Sequence, residues 1–506
     1  MPIHTLGARH ARYRPNHTAV VFEGRRYTHR QFNSRVNRLA NALLTLGLRR
    51  GDKVATILDN SLEMLEIYQA VAKTGMVVVP LSPLLRGESL VTLINDADSV
   101  AVITMVSMVA HLDAVRDRMR VPADRFILTD SSDVLGYRGY QALAATASEE
   151  EPPWVEISDD DPYNIIYSSG TTGDPKGIVH THYVRTAYCT GFASSYRIKP
   201  ESVILHAGSL VFNGAFLTLM PAFYLGATYV LMSGFDARKM IDSMRAEKVT
   251  HVMTVPSQIL ALLAQSDFDE EHLPDLEMIC SVGAPLHLQH KEALAHRLPK
   301  RFYELYGLTE GFVTILDRDD FPAKSGSVGV PPPLYEMRIL DDDDRDLPPG
   351  AVGEIVGRGP ITMPGYYKRP DLTADALRDG WLHTGDLGYV DEDGFLYLVD
   401  RKKDLILSGG VNVYPRDIEE VVIQHPAVTD VAVFGAPDEC WGESPIAAVR
   451  LDATTDAKAD EVRDWVNERV GARFQKVREV VVMEEFPLSV AGKTLRRVIR
   501  ENYMKA

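Results

Sequence analysis

From Thr28 onward the chain alternates short, continuous apolar runs with amphipathic stretches of helical length, and this rhythm limits the fold more than any other feature. Thr28-His29-Arg30-Gln31 has the spacing of a capping box, in which two side chains satisfy the first free N–H groups of a helix. The helix it opens has the apolar face Phe32, Val36, Leu39, Ala40, Leu43 and Leu44, and Gly47 closes it as a left-handed cap. Lys53–Leu58, Met76–Leu81 and Val100–Thr104 read as strands, with a helix at Ser61–Lys73. The rhythm returns further on, with strands at Val203–Leu205, Thr228–Met232, His251–Val255 and Met278–Val282 and helices at Asp236–Glu247 and Pro256–Gln265. Apolar strands separated by helices imply largely parallel sheets covered on both faces.

Near Gly326 the texture changes. Val328–Pro333, Glu336–Leu340, Gly353–Val356 and Phe395–Leu398 read as short strands joined by Pro, Gly and Asp turns, which suggests a small β-barrel subdomain. Asp341–Asp344 reads as the solvated tip of a hairpin rather than a metal site. Beyond Arg401-Lys402-Lys403-Asp404 come helices at Pro415–Gln424 and Asp460–Val470 and strands at Val431–Phe434, Ile446–Leu451 and Glu479–Met483. At 506 residues the chain exceeds one core. The expected class is α/β. A large N-terminal domain, 1–402, holds two α/β sheets and the β-subdomain (about 326–400). A smaller α+β domain follows at 403–506.

Composition excludes some functions. A net charge of −16 opposes nucleic-acid binding, so an anionic ligand has to be drawn in by local lysines and arginines. Three widely spaced cysteines (Cys189, Cys280, Cys440) offer neither a disulfide framework nor zinc spacing and suit the reducing cytoplasm. The first residues lack the apolar run of a signal peptide. Leu210–Met232 is uncharged and long enough to span a bilayer, but Asn213, Gly214, Pro221 and Gly226 interrupt it. It reads as a buried helix and strand, so no transmembrane segment is expected.

Straight after Ile165-Ile166-Tyr167 comes Ser-Ser-Gly-Thr-Thr-Gly-Asp-Pro-Lys-Gly, residues 168–177. Gly170, Gly173 and Gly177 let backbone N–H groups approach an anion; Ser168, Ser169, Thr171 and Thr172 add hydroxyls; Lys176 adds charge. The spacing is neither that of a P-loop nor that of a dinucleotide fingerprint. Four more strings carry chemistry. In Tyr303–Gly311, Glu310 offers the hard oxygen that Mg²⁺ prefers beside phosphates, and Tyr306 with Gly307 offers a stacking face. The same residues could instead start a helix capped by Thr309. In Gly380–Gly388, Asp386 could accept from ribose hydroxyls or could simply form an Asx-turn. Val399–Glu419 carries a charged cluster at the domain boundary, and Pro487–Arg497 contains Lys493 in a loop.

Together and in this order, the five strings closely resemble the motifs of the adenylate-forming superfamily, which includes acyl-CoA synthetases, luciferases and peptide-synthetase adenylation domains. The resemblance runs from about Thr28 to Arg497. It implies an AMP-forming acid–thiol ligase: a carboxylate attacks Mg·ATP to give acyl-adenylate and pyrophosphate, the mobile C-terminal domain swings about Lys403, and coenzyme A displaces AMP. It assigns catalytic parts to Lys493, Thr172 and Glu310, with Glu310 holding magnesium. The ATP site it implies comprises Ser168, Ser169, Gly170, Thr171, Thr172, Lys176, Gly283, Ala284, Pro285, Tyr306, Gly307, Thr309, Asp386, Arg401 and Lys493. Gly409, Gly410 and Trp441 correspond to the coenzyme A tunnel.

The chain departs from the family pattern in three places. Ser489-Val490 replaces the usual Arg-Thr before Lys493. Phe212 or Asn213 stands where many relatives carry histidine, and Val282 where glycine is common. The acyl lining this implies (Leu210, Phe212, Asn213, Phe216, Val282, Phe312) carries no charge and favours a neutral fatty, alicyclic or aromatic acid. The readings left beside this are a carrier-loading adenylating enzyme and a catalytically silent relative. A homodimer is one arrangement left open.

Overall fold

The computed structural model describes residues 2–131, 133–168, 175–408, 411–438, 441–452, 455–487 and 494–505. The chain divides into two compact units, one of 1–325, 331–336 and 358–382, the other of 326–330, 337–357 and 383–506.

The first unit holds two sheets. One has seven strands in the order Arg138–Gly139, Phe126–Leu128, Ser99–Thr104, Lys53–Ile57, Val77–Leu81, Pro162–Ser168 and Lys176–Thr181. All pairs are parallel except the last. The other has eight strands, with Met278–Val282, His251–Thr254, Val203–His206 and Thr228–Leu231 parallel at its centre. An antiparallel hairpin closes each side. Phe302–Gly307 returns as Val313–Leu316 at one end, and Thr18–Phe22 returns as Arg25–Thr28 at the other.

The elements form where local chemistry starts and stops them. The Thr28 hydroxyl accepts from Gln31 N while the Gln31 side chain accepts from Thr28 N, opening helix His29–Thr45. Ser61, Thr181 and Asp236 cap their helices with a single bond each, their side chains accepting from Met64 N, Val184 N and Lys239 N. Val77–Leu81 is buried at every position, as a central parallel strand requires. The uncharged stretch becomes helix Phe216–Leu225 and strand Thr228–Leu231. Among the described residues, no helix is long and apolar enough to cross a membrane. Helices Leu62–Thr74, His182–Ser195 and Phe216–Leu225 share one apolar core with residues of both sheets, among them Val54, Val78, Ile204 and Tyr229.

In the second unit, Trp381–Val390 and Leu396–Arg401 pair antiparallel, with Asp386 opposite Arg401. Val328–Pro333 does not form the expected strand. Val328 N and Gly329 O bond to Leu396 and Val330 makes an isolated bridge, but Pro331, Pro332 and Pro333 have no N–H to continue a ladder. A further sheet orders Val411–Val413, Ile406–Ser408, Gly442–Leu451 and Val428–Asp438, with Glu479–Val482 added parallel to Gly442–Leu451. Helices Pro415–Val422 and Ala459–Asn467 cover one core of this sheet, and Arg496–Lys505 contributes Ile499 to another.

Candidate active site

In the first unit the site begins where two adjacent strands of one ladder end. Strands Pro162–Ser168 and Lys176–Thr181 pair Tyr167 with Gly177 and Ser168 with Lys176. A side chain at 177 would come within 2.8 Å of Ile165 Cγ2, so glycine is required at that point. Ser169, Gly170, Thr171, Thr172, Gly173 and the Ser168 side chain lie outside the described residues.

Lys176 Nζ stands 5.5 Å from the centre of the Tyr366 ring, and the Tyr366 hydroxyl donates to Glu310 Oε1 at 2.9 Å. Burial and the neighbouring Glu310 charge raise the Tyr366 pKa, so the phenol keeps its proton and remains a donor. Backbone bonds hold this link in place: Tyr367 N donates to Gly177 O (2.7 Å) and Met363 N to Glu310 O (2.8 Å). Gly311, at φ +111°, packs so closely that a Cβ there would lie 2.0 Å from Ile361 O. The helix-start alternative for this string is therefore overturned. Phe302–Gly307 is a strand, and the residues to Gly311 form the tight turn of a hairpin that presents Glu310.

Val282 pairs with Leu305, so Gly283, Ala284 and Pro285 emerge exposed beside Tyr306 and Gly307 at the carboxyl ends of neighbouring parallel strands. That is where open α/β sheets bind ligands. The expected acyl lining divides into two sets. Phe212, Asn213 and Val282 are half-buried, whereas Leu210, Phe216 and Phe312 are sealed in the core. A Cβ at Gly214 would lie 4.0 Å from Val282 Cγ1, which places Val282 against the 212–214 segment.

Behind that wall runs a buried polar chain. Arg185 donates to Asn164 Oδ1 (2.9 Å) and to His180 Nδ1 (3.1 Å), and His180 Nε2 contacts Thr309 O at 2.8 Å. Arginine has only donors, so His180 Nδ1 must accept and the ring proton sits on Nε2, donating to Thr309. Burial, reinforced by the Arg185 charge, depresses the His180 pKa and keeps the ring neutral.

In the second unit, Asp386 lies within a strand rather than a turn. Its carboxylate faces Arg401 Nε at 3.3 Å, and its N–H donates to Thr384 Oγ1 at 3.0 Å. Lys403 is exposed in the short turn Lys402–Asp404, and Lys402 pairs with Asp342 at 2.8 Å. Trp441 is partly exposed, with the Arg473 guanidinium 5.4 Å from its ring. Gly409, Gly410 and Lys493 lie outside the described residues. Just past Lys493, Arg496 bonds Glu419 Oε1 (2.7 Å), Asp400 Oδ1 (3.4 Å) and Asp404 Oδ2 (3.4 Å).

A family model for AMP-binding enzymes matches residues 7–367, and one for the AMP-binding enzyme C-terminal domain matches 417–493. The chain belongs to the AMP-binding enzyme family. It is 34% identical to a long-chain-fatty-acid–CoA ligase of Mycobacterium tuberculosis, over 94% of this chain and 93% of the relative. It is also 34% identical to a feruloyl-CoA synthase of Amycolatopsis, over 98% of each. Its fold matches that of an o-succinylbenzoate CoA synthetase from Bacillus subtilis, solved in complex with its acyl-adenylate intermediate. There the TM-score is 0.88 and the identity 27%, over 98% of each chain. This AMP-binding enzyme is an AMP-forming acid–thiol ligase that uses ATP.

Sequence reasoning missed four residues of the AMP-binding enzyme's polar framework: Tyr366, His180, Arg185 and Arg496. The Pro364-Gly365-Tyr366-Tyr367 run was the one available signal, a turn followed by two aromatics. The other three acquire meaning only through partners distant in sequence.

Proposed function

We propose that the chain joins a carboxylic acid with a neutral, apolar body (fatty, alicyclic or aromatic) to coenzyme A in two steps. First, a carboxylate oxygen bonds to the α-phosphorus of ATP and the bond to the β-phosphate breaks, releasing pyrophosphate. Second, the coenzyme A thiol attacks the acyl carbon of the adenylate, AMP leaves, and the thiol proton passes to solvent. The observation that carries this reading is the Lys176–Tyr366–Glu310 link, which joins the glycine-rich strand to the Tyr306–Glu310 turn within one unit. It brings the Lys176 ammonium and the Glu310 carboxylate to one place, which supports their use for phosphate and metal.

Glu310 fits magnesium: it offers a hard carboxylate whose Oε1 is oriented by Tyr366, the kind of single anchor Mg²⁺ uses beside nucleotide phosphates. When bound, the ion would neutralise phosphate charge. Lys176 would hold the β- and γ-phosphates, Tyr306 and Gly307 the adenine, and Asp386 with Arg401 the ribose. Lys493 would meet the charge building at the α-phosphate. Phe212, Asn213 and Val282 would contact the acyl group, and Trp441 the pantetheine arm. The domain boundary at 402/403, with Lys403 as pivot, belongs to the same proposal. So does a cytoplasmic setting, supported by the free, buried thiols of Cys189 and Cys280.

Acid-dependent exchange of pyrophosphate into ATP, followed by AMP release with and without coenzyme A, tests the whole reading. Exchange followed by coenzyme-A-dependent release is expected. Exchange without that release would point to carrier loading, and nucleotide binding without exchange to a silent relative.

A further inference from the structure

Arg185 is wholly buried one turn into helix His182–Ser195. Two of its nitrogens are satisfied by Asn164 and His180, but Nη1 has no hydrogen-bond partner. Its faces are stacked, with the guanidinium carbon 3.9 Å from the centre of the Phe216 ring and 4.7 Å from that of Tyr188. Among the described residues no carboxylate pairs with it. A guanidinium cannot shed its charge by losing a proton at any pH a protein tolerates. Cation–π contacts offset part of the cost of burial, yet a buried charge without a counter-ion is among the least favourable arrangements in a protein.

The surroundings belong to the acyl wall. The Tyr188 hydroxyl accepts from Asn213 Nδ2 at 2.8 Å, and Asn213 Oδ1 is buried without a partner. Asn213 and Phe212 are two of the half-buried residues of that wall, and Phe216 packs directly on the guanidinium. Spare hydrogen-bonding capacity and an uncompensated positive charge therefore stand together behind an apolar lining.

We propose that Arg185, with Tyr188 and Asn213, forms a polar subsite for a second oxygen function on the acid, a carboxylate or carbonyl separated from the reacting carboxylate by an apolar spacer. This rests on the ligase reading above but replaces its neutral, apolar acid with one that carries a distal oxygen function beyond an apolar spacer. The partner is not the reacting carboxylate itself. An ion pair there would stabilise the ground state of the nucleophile and slow its attack on phosphorus. An acceptor at the far end instead completes the charge without touching the chemistry.

The test is acid-dependent pyrophosphate exchange with matched acids of several spacer lengths, aliphatic and aromatic, ending in methyl, ketone or carboxylate. In the wild type, kcat/KM for an oxygen-bearing acid of the best spacer should exceed that of its methyl-ended match by about tenfold or more. The arm with the larger ratio identifies carboxylate or carbonyl. In Arg185→Met that ratio should fall about tenfold or more, and Arg185→Lys should restore part of it for the carboxylate acids. A wild type indifferent to the terminal group at every spacer would overturn the proposal even if the variants fail to fold. An equal loss for all acids in Arg185→Met would also overturn it, leaving Arg185 a general structural or carboxylate-holding group. If no acid of any kind supports exchange in the wild type, the ligase reading falls first and the subsite falls with it.

Discussion

At position 366 one hydroxyl group decides how the Glu310 carboxylate is aimed. Tyr366→Phe keeps the ring beside Lys176 and removes only the 2.9 Å bond to Oε1. Hydrogen bonds to charged groups contribute about 1.5–3 kcal/mol, so kcat/KM for MgATP in the exchange reaction should fall about 10–100-fold. Circular dichroism should be unchanged. Exchange at the wild-type rate would mean that the phenol does not position the carboxylate. Lys176, Glu310, Asp386 and Arg401 could be singled out from the sequence because each stands in a dense string of glycines, hydroxyls and charges. Tyr366 and His180 were not. Their partners lie 56 and 129 residues away, and no local composition encodes such a meeting.

Helix starts could be read directly, since a cap is a local event: Thr28, Ser61 and Asp236 each bond a backbone N–H three residues on. Strand status was harder to read where the sequence is rich in turn formers. Asp386 between two glycines looks like a turn and is a strand residue because Leu396–Arg401 supplies a pairing edge. Val328–Pro333 looks like a strand and is not, for want of N–H groups. The helix Arg496–Lys505 shows what pattern alone cannot give. Its first residue gathers Asp400 from the strand Leu396–Arg401, Asp404 from the following turn and Glu419 from helix Pro415–Val422. Arg496→Met would leave these carboxylates facing one another, with Asp400 buried. Breaking one side of a fully buried ion cluster costs about 3–5 kcal/mol, and this one, with 24% of the Arg496 side chain exposed, should cost less. Hydrogen exchange should therefore accelerate across Pro415–Val422 and the 400–404 segment, with the first unit unaffected. Unchanged protection there would refute the clasp.

Across the whole chain, burial sets the response to acid. His29, His182, His206 and His251 are each held down to about 4, burial being the main cause. In the unfolded chain they take up protons near 6.5, so between these values the unfolded state binds more protons than the folded one. Their contribution is complete above about pH 6.5 and is lost as the pH falls towards 4, at most about 3 kcal/mol for each group. The melting temperature should drop steadily from pH 7 to pH 4.5, and a flat profile would contradict neutral burial. The two reaction steps should also separate by mutation. Lys493→Ala should lose roughly 10²–10³-fold or more in adenylate formation yet still convert supplied acyl-adenylate to thioester. Lys403→Pro should spare exchange and block the thioester step. Equal losses in both half-reactions would remove the case for domain alternation.

The parallel pairing of Thr18–Phe22 with Thr228–Leu231 has a consequence for biosynthesis. The ribosome releases the Ala19-Val20-Val21 edge early, but its partner strand leaves the exit tunnel only after about two hundred more residues, roughly 10–40 s at ordinary elongation rates. Until then the N-terminal hairpin has no sheet to join, and His10 lacks the Phe223 and Tyr224 carbonyls it finally contacts. Nascent chains stalled before residue 231 should engage chaperones through this edge, and those stalled well beyond it should not.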